Sequence, residues 1–164
     1  MTIQKKWSSM YANEKFICIQ TCSGLRGAAS DPDGKLFFLN PEANPDEIGR
    51  ALQDALSVSR TLAPEEVGPF FDLEIIEKRY EDWVDLMMKK FEYSSRKALF
   101  KKMSHCQVEC VDGVIYIRPM FHEKLEAWSA KGVEKADHVV IEDSASSYAV
   151  GQGALVALSR CINR

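Results

Sequence analysis

With 164 residues, 46% of them hydrophobic and 27% charged, the chain has the composition of one globular domain large enough to bury a core, which excludes a disordered segment. Its longest apolar runs stop at four or five residues, far short of the ~20 that a membrane helix needs, and the N-terminus shows no apolar signal segment. The net charge of −3 argues weakly against nucleic acid as a partner; five cysteines, an odd number without a secretion signal, favour free thiols in the cytoplasm over a disulfide framework.

In chain order, "KKWSSMYANEKFICIQTC" reads as a β-hairpin. Asn13 supplies a turn residue that tolerates positive φ. Both faces of the second arm are apolar, as in a strand covered on both sides. "SGLRGAASDPDG" (23–34) reads as a loop and "KLFFLN" (35–40) as a short strand. Asn44, Pro45, Asp46 and Glu47 then make a helix start: a cap, a first-position proline and acids in the first turn. Ile48, Ala51, Leu52, Ala55 and Leu56 follow at helical spacing, which predicts a helix over 45–60. "APEEVGPF" (63–70), with two prolines and a glycine, reads as a break. Leu73, Ile76, Tyr80, Trp83, Val84, Met87 and Phe91 predict a helix over 72–91, and "SRKALFKK" (95–102) a short helical turn. "SHCQVECVDGVIYIRP" (104–119) is a hairpin around the favoured Asp112-Gly113 turn. "EKLEAWSAKG" fits no single element. "DHVVIED" (137–143) is a strand, and a last helix is expected over about 146–162 behind Ser144 or Ser146.

Two stretches echo each other. "IGRALQDALSVSR" (48–60) and "VGQGALVALSRC" (150–161) each run from a β-branched residue and a glycine to Ala-Leu-Ser, and each follows an apolar strand and a hairpin at similar distances. This predicts an α+β domain with a mainly antiparallel sheet and packed helices, spanning 1–164, built of two pseudo-repeated hairpin–strand–helix halves. Because Gly inside a helix costs roughly 1 kcal/mol against Ala, the repeated glycine points to a close approach of helix and sheet.

Little in the chain points to catalysis. Cys18 and Cys22, or Cys106 and Cys110, are four apart; on strands that is roughly 13 Å, too far to hold one metal. His105 and Cys106 face opposite ways on a strand, a poor arrangement for a nucleophile and its base. No phosphate loop, dinucleotide fingerprint or nucleophile elbow is present. The expectation is a non-enzymatic protein without metal or cofactor.

Charge is uneven. Residues 61–85 carry a net −6 and residues 86–104 a net +5. The bland reading is a solvated helix obeying its macrodipole. The functional reading is an acidic face for a basic partner, made by Asp72, Glu74, Glu77, Glu81, Asp82 and Asp85, with Glu77, Glu81 and Asp85 as a ridge at i, i+4, i+8. The alternative is a single-stranded nucleic-acid module. A duplicated sheet-and-helix unit is similar in layout to Whirly-type proteins, and Lys89, Lys90, Phe91, Tyr93, Arg96, Lys97 and Phe100 would supply a basic groove with stacking rings.

The ordered strings "DEIGRALQDALSVSR", "YEDWVDLMMKKFEYSSRKALFKKMSHCQVE", "HEKLEAWSAKG" and "VGQGALVALSRC" resemble the CdiI family, immunity proteins of contact-dependent growth inhibition (CDI). The resemblance covers about 35–162 and rests on spaced residues such as Gly49, Ser59, Arg60, Trp83, Lys97, Trp128 and Gly151 rather than on a catalytic signature. It implies a cytoplasmic protein that binds, one to one, the C-terminal toxin domain of a cognate CdiA protein, in many cases a nuclease. No nucleic-acid or membrane partner is expected. No contact residue is transferred from the family.

Overall fold

The computed structural model describes residues 4–163. The chain opens with the hairpin β1 (Lys5–Ala12) and β2 (Ile17–Gly24), then β3 (Ala28–Ser30), β4 (Leu36–Leu39) and α1 (Pro45–Ser57). Three helices follow: α2 (Pro64–Phe70), α3 (Leu73–Lys90) and α4 (Arg96–Phe100). The second half has the hairpin β5 (Ser104–Val111) and β6 (Val114–Pro119), a small hairpin β7 (Phe121–Lys124) and β8 (Ala127–Ser129), a 3-10 turn, β9 (Val139–Glu142) and α5 (Ser147–Ser159). The fold is α+β. Its main sheet runs β3-β2-β1-β5-β6-β9 with β4 also on β2, and every strand pair in it is antiparallel.

Local chemistry places the ends of these elements. The Asn44 side chain accepts from Glu47 N–H at 2.9 Å, Ser95 from Ala98 N–H and Ser146 from Ala149 N–H, each at 3.1 Å. Asp112 (φ 51°) and Gly113 (φ 77°) both adopt positive φ, as the tight turn between twisted strands requires. Asn13 differs from expectation. Its φ is not positive; its side-chain oxygen instead accepts from Lys15 and Phe16 N–H, closing the turn without strain. The segment 63–70 is a helix rather than a break. Pro64 sits in its first turn, where no amide is needed, and Glu66 accepts from the N–H of Ala63 at 2.9 Å. Residues 28–30, read as loop, pair with β2, and the unassigned stretch around Trp128 is the β7–β8 hairpin.

The alternation of β1, β2, β5 and β6 sends side chains to two cores. Met10, Ile17, Ile19, Cys106, Val108, Ile115 and Ile117 pack under α1 and α5. On the other face Phe16 and Cys18 meet Val84 and Met87 of α3 and Leu99 and Phe100 of α4. Each of these large apolar side chains contributes about 1.5–3 kcal/mol on burial. The molecule is thus helices, sheet, helices, with α3 and α4 covering only part of their face.

The stretches before α2 and after α4 follow a similar order of connection. In each, an outer strand (β4 or β9) adds to the second strand of a hairpin and leads into a helix (α1 or α5), and β1 and β5 join the halves at the sheet centre. Gly49 and Gly151 face each other's helix, not the sheet as the sequence suggested. A Cβ on Gly151 would overlap the carbonyl of Pro45 and stand 2.8 Å from its Cα; one on Gly49 would overlap the carbonyl of Ser147 and stand 2.8 Å from the amide of Gly151. The contact is reciprocal, and it lets the first turns of α1 and α5 touch backbone to backbone. Gln53 adds polar ties, donating to Ala145 O at 3.1 Å and accepting from Ser147 Oγ at 2.8 Å.

Candidate functional site

The long helix α3 carries the predicted acids, and its sequence divides it into an inner and an outer face. Val84 and Met87 are buried, Tyr80 and Trp83 half-buried, and all six acids of 72–85 are exposed. Three of the six have internal roles. Asp72 caps α3, accepting from Glu74 and Ile75 N–H at 3.1 and 3.3 Å. Asp82 pairs with Lys78 one turn back at 2.9 Å. Glu81 takes Arg96 at 2.7 Å, and Arg96 also grips Glu126 at 2.5 Å, so one guanidinium ties α3 and α4 to the β7–β8 hairpin. Tyr80 donates to the same Glu126 at 2.7 Å. The expected ridge of Glu77, Glu81 and Asp85 is therefore interrupted at its centre. Glu74, Glu77 and Asp85 make no ion pair among the described residues. Beside them stand three exposed apolar side chains: Leu73 (75%), Ile75 (43%) and Leu86 (43%).

Behind α3, the uncovered part of the sheet leaves a cleft of about 550 Å³. Its aromatic walls are Trp7, Tyr11, Tyr80 and Trp83, its floor includes Ser9, Gln20 and Gln107, and Arg26, Arg79 and Arg118 line it with positive charge. Arg79 is fixed in place by the carbonyl of Phe70 at 3.2 Å and by the Phe70 ring. Arg118 and Lys5 share Glu109, each at 3.6 Å. Residues to which no sequence pattern draws attention, Arg26, Gln107 and Arg118 among them, meet here because β5 pairs with β1, a contact about a hundred residues apart along the chain.

Three titratable groups of the cleft stand away from neutrality. Burial pushes the Cys22 thiol up to about 11 and the His105 imidazole down to about 4. Burial and then the hydrogen bond to Glu126 raise the Tyr80 phenol. His105 donates through Nδ1 to the carbonyl of Met10 at 3.0 Å and stacks on Tyr11 with ring centres 4.2 Å apart. None of these groups is poised near pH 7 for proton transfer, whereas rings, amides and fixed cations suit recognition. The cysteine spacing behaves as expected: Cys18 and Cys22 lie on one face of β2, and Cys106 faces opposite to His105.

Four residues of the basic stretch considered for base stacking have partners within the fold. Phe100 is fully buried, Phe91 stacks on Phe16 with centres 4.4 Å apart, Tyr93 donates to Glu14 at 2.9 Å, and Arg96 is held by Glu81 and Glu126. No open row of rings remains among them.

Two residues of the sequence resemblance, the buried Ser59 and the exposed Arg60, join in a polar node on the α1 side. Ser59 Oγ accepts from Trp7 N–H at 2.8 Å and donates to Cys22 O at 2.5 Å. Arg60 grips Asp31 through Nε at 2.9 Å, and Ser23 donates to the same carboxylate at 2.6 Å. Burial alone would raise the Asp31 carboxyl, but the Arg60 and Ser23 hydrogen bonds outweigh it and hold the group below its ordinary value. These side chains shape the scaffold.

Comparison with known proteins agrees over nearly the whole chain. The family model described as CdiI, CDI immunity protein, matches residues 6–161. The immunity protein CdiI-YPIII of Yersinia pseudotuberculosis serotype O:3 (strain YPIII) is 34% identical over 171 residues, covering 97% of each chain. Among solved structures, a chain of the CdiA-CT/CdiI toxin and immunity complex from Yersinia pseudotuberculosis has a TM-score of 0.90 at 35% identity, covering 97% of this chain and 99% of that one. A protein of unknown function from Neisseria meningitidis has a TM-score of 0.90 at 36% identity, covering 96% of each chain. The protein described here belongs to the CdiI family of CDI immunity proteins.

Proposed function

We propose that this protein binds the C-terminal toxin domain of a cognate CdiA protein, one to one, and neutralises it in the cytoplasm, and that the toxin is a nuclease. The observation that carries this reading is the match along almost the entire chain to an immunity protein and to a chain of a toxin–immunity complex. The geometry supports it: a cleft furnished for recognition lies behind a helix whose outer face presents Glu74, Glu77 and Asp85 beside Leu73, Ile75 and Leu86. A nuclease holds phosphates and is basic where it does so. Acids on α3 would steer such a partner, and the apolar neighbours would supply anchors. The nucleic-acid alternative has less support, since Phe100 is buried and Phe91 and Tyr93 are partly covered.

The test is co-expression of the toxin domain encoded beside this gene with this protein or with an unrelated immunity protein. Growth is expected only with this protein, together with a one-to-one complex on size-exclusion chromatography and loss of nucleic-acid cleavage in extracts. Equal killing in both strains would refute the immunity function. Protection from a toxin that cleaves no nucleic acid would refute its nuclease part alone.

A further inference from the structure

Two of the five free cysteines stand in contact. Cys106 of β5 is fully buried, Cys161 lies just past the end of α5 and is half-buried, and their sulfurs are 3.5 Å apart. We propose that Cys106 and Cys161 are an oxidation site: a dithiol that a hydroperoxide converts to a disulfide, stapling the end of α5 to the central strand β5.

The pair is asymmetric in the way such chemistry needs. Cys161 is half-buried and its Sγ donates to the carbonyls of His105 at 3.3 Å and Ala157 at 3.6 Å, which seat it beside Cys106; pairing with Cys161 and then burial push the Cys106 thiol well above its ordinary value. Cys161, the thiol with a route to solvent, is thus the nucleophile once it gives up its proton, and Cys106 is the resolving thiol beside it. The other cysteines are poorer targets: burial pushes Cys18 up to about 12 and Cys22 up to about 11, and burial and then Asp143 raise Cys110.

The steps balance. The Cys161 thiolate attacks the peroxide; an S–O bond forms, the O–O bond breaks, and the leaving oxygen departs as hydroxide or alkoxide and takes a proton. The Cys106 sulfur then attacks the sulfenic sulfur, an S–S bond forms, and the sulfenic oxygen leaves as water with the Cys106 proton. Two thiols are oxidised by two electrons in all, and one peroxide is reduced. Closure requires the sulfurs to approach by roughly 1.5 Å. That movement falls to Cys161, because β5 is hydrogen-bonded on both sides to β1 and β6.

The experiment uses the full-length protein, reduced and then exposed to a small excess of hydrogen peroxide at pH 7, with remaining thiols alkylated before peptide mapping. The expected result is a Cys106–Cys161 linked peptide, reversed by dithiothreitol, and a melting temperature higher by about 10 °C for the oxidised form. Cys110→Ser should react as the wild type does, while Cys106→Ser should leave a sulfenic acid on Cys161 that dimedone traps. If Cys161 in the wild type stays reduced while Cys110 oxidises, or proceeds to sulfinic acid without a linked peptide, the proposal is overturned. Because the mapping is done on the wild type, poor folding of a variant leaves that outcome unaffected.

Discussion

Replacing Gly151 by Ala should destabilise the protein even though it improves helix propensity. The propensity gain in a helix interior is about 1 kcal/mol. Against it, the new Cβ would overlap the Pro45 carbonyl and stand 2.8 Å from the Pro45 Cα, about 1 Å short of a relaxed carbon contact. The obstruction is backbone, so no side chain can swing away and α1 and α5 must separate. Ile48, Leu52, Val150 and Ala154, all buried around this contact, then lose part of their packing. Overpacking of this kind costs about 3 kcal/mol at the upper end of its usual range, which leaves a net loss of about 2 kcal/mol, and Gly49→Ala should behave alike. Gly153→Ala is the control. It lies in the same helix with the same propensity gain, but its Cβ would meet side-chain atoms alone, the Val139 Cγ1 at 3.1 Å and the Ile141 Cδ1 at 3.9 Å, and the closer can shift, so it should fall within about 1 kcal/mol of wild type. Urea denaturation of the three variants reads these differences as midpoint shifts at constant slope. If Gly151→Ala matches or exceeds Gly153→Ala in stability, the close helix contact is not what the glycine is for.

Three further outcomes are expected. His105 stays neutral in the folded protein down to about pH 4, while in the unfolded chain it takes a proton near 6.5; the unfolded state binds more protons in that window, so stability is present above it and falls as pH drops, by up to about 3 kcal/mol. His105→Phe should flatten this slope, and an NMR titration placing the native imidazole near 6.5 would contradict it. Arg60→Ala should cost about 2–3 kcal/mol in urea melts because it leaves the buried Asp31 carboxylate without its cation, and because Asp31 is held low, the stability it supplies is lost as pH falls through its folded value; a variant as stable as wild type would make the node dispensable. Reversing Glu74, Glu77 and Asp85 to Lys should slow association with the toxin several-fold at low salt and little at high salt, with dissociation nearly unchanged; stopped-flow rates independent of salt in both proteins would remove α3 as the steering face.

The elements with strong local chemistry were legible. The Asp112-Gly113 turn, the Asn44-Pro45 start and the apolar stripe of α3 each depend on residues within a few positions of one another. The segment 63–70 misled because its two prolines read as breakers, whereas Pro64 starts the helix in its first turn and the seven-residue helix runs on through Pro69. Residues 28–30 could not be read as a strand, since their hydrogen bonds come from β2 rather than from any alternation of their own. The echoed glycines were visible, but their partner was not. A sequence shows that something approaches a helix closely, and only the sheet order, which brings α1 and α5 side by side, shows that it is the other helix.

The acidic run shows the same limit in electrostatics, and magnitudes decide what remains of it. One acid caps its own helix, one pairs a turn back, and one meets Arg96 across fifteen positions with Glu126 on the far side of the same cation. The first two roles follow from spacing; the third requires the β7–β8 hairpin to fold against α4, which no charge pattern encodes. An exposed ion pair contributes about 0–1 kcal/mol, so the three remaining acids give a partner direction and speed more than affinity. Burying Leu73, now 75% exposed, is worth about 1.5–3 kcal/mol, and Ile75 and Leu86 lie on the same helix. A partner seated on α3 would therefore draw its holding energy from side chains that look like ordinary helix formers in the sequence, and its association rate from the charges that drew attention first.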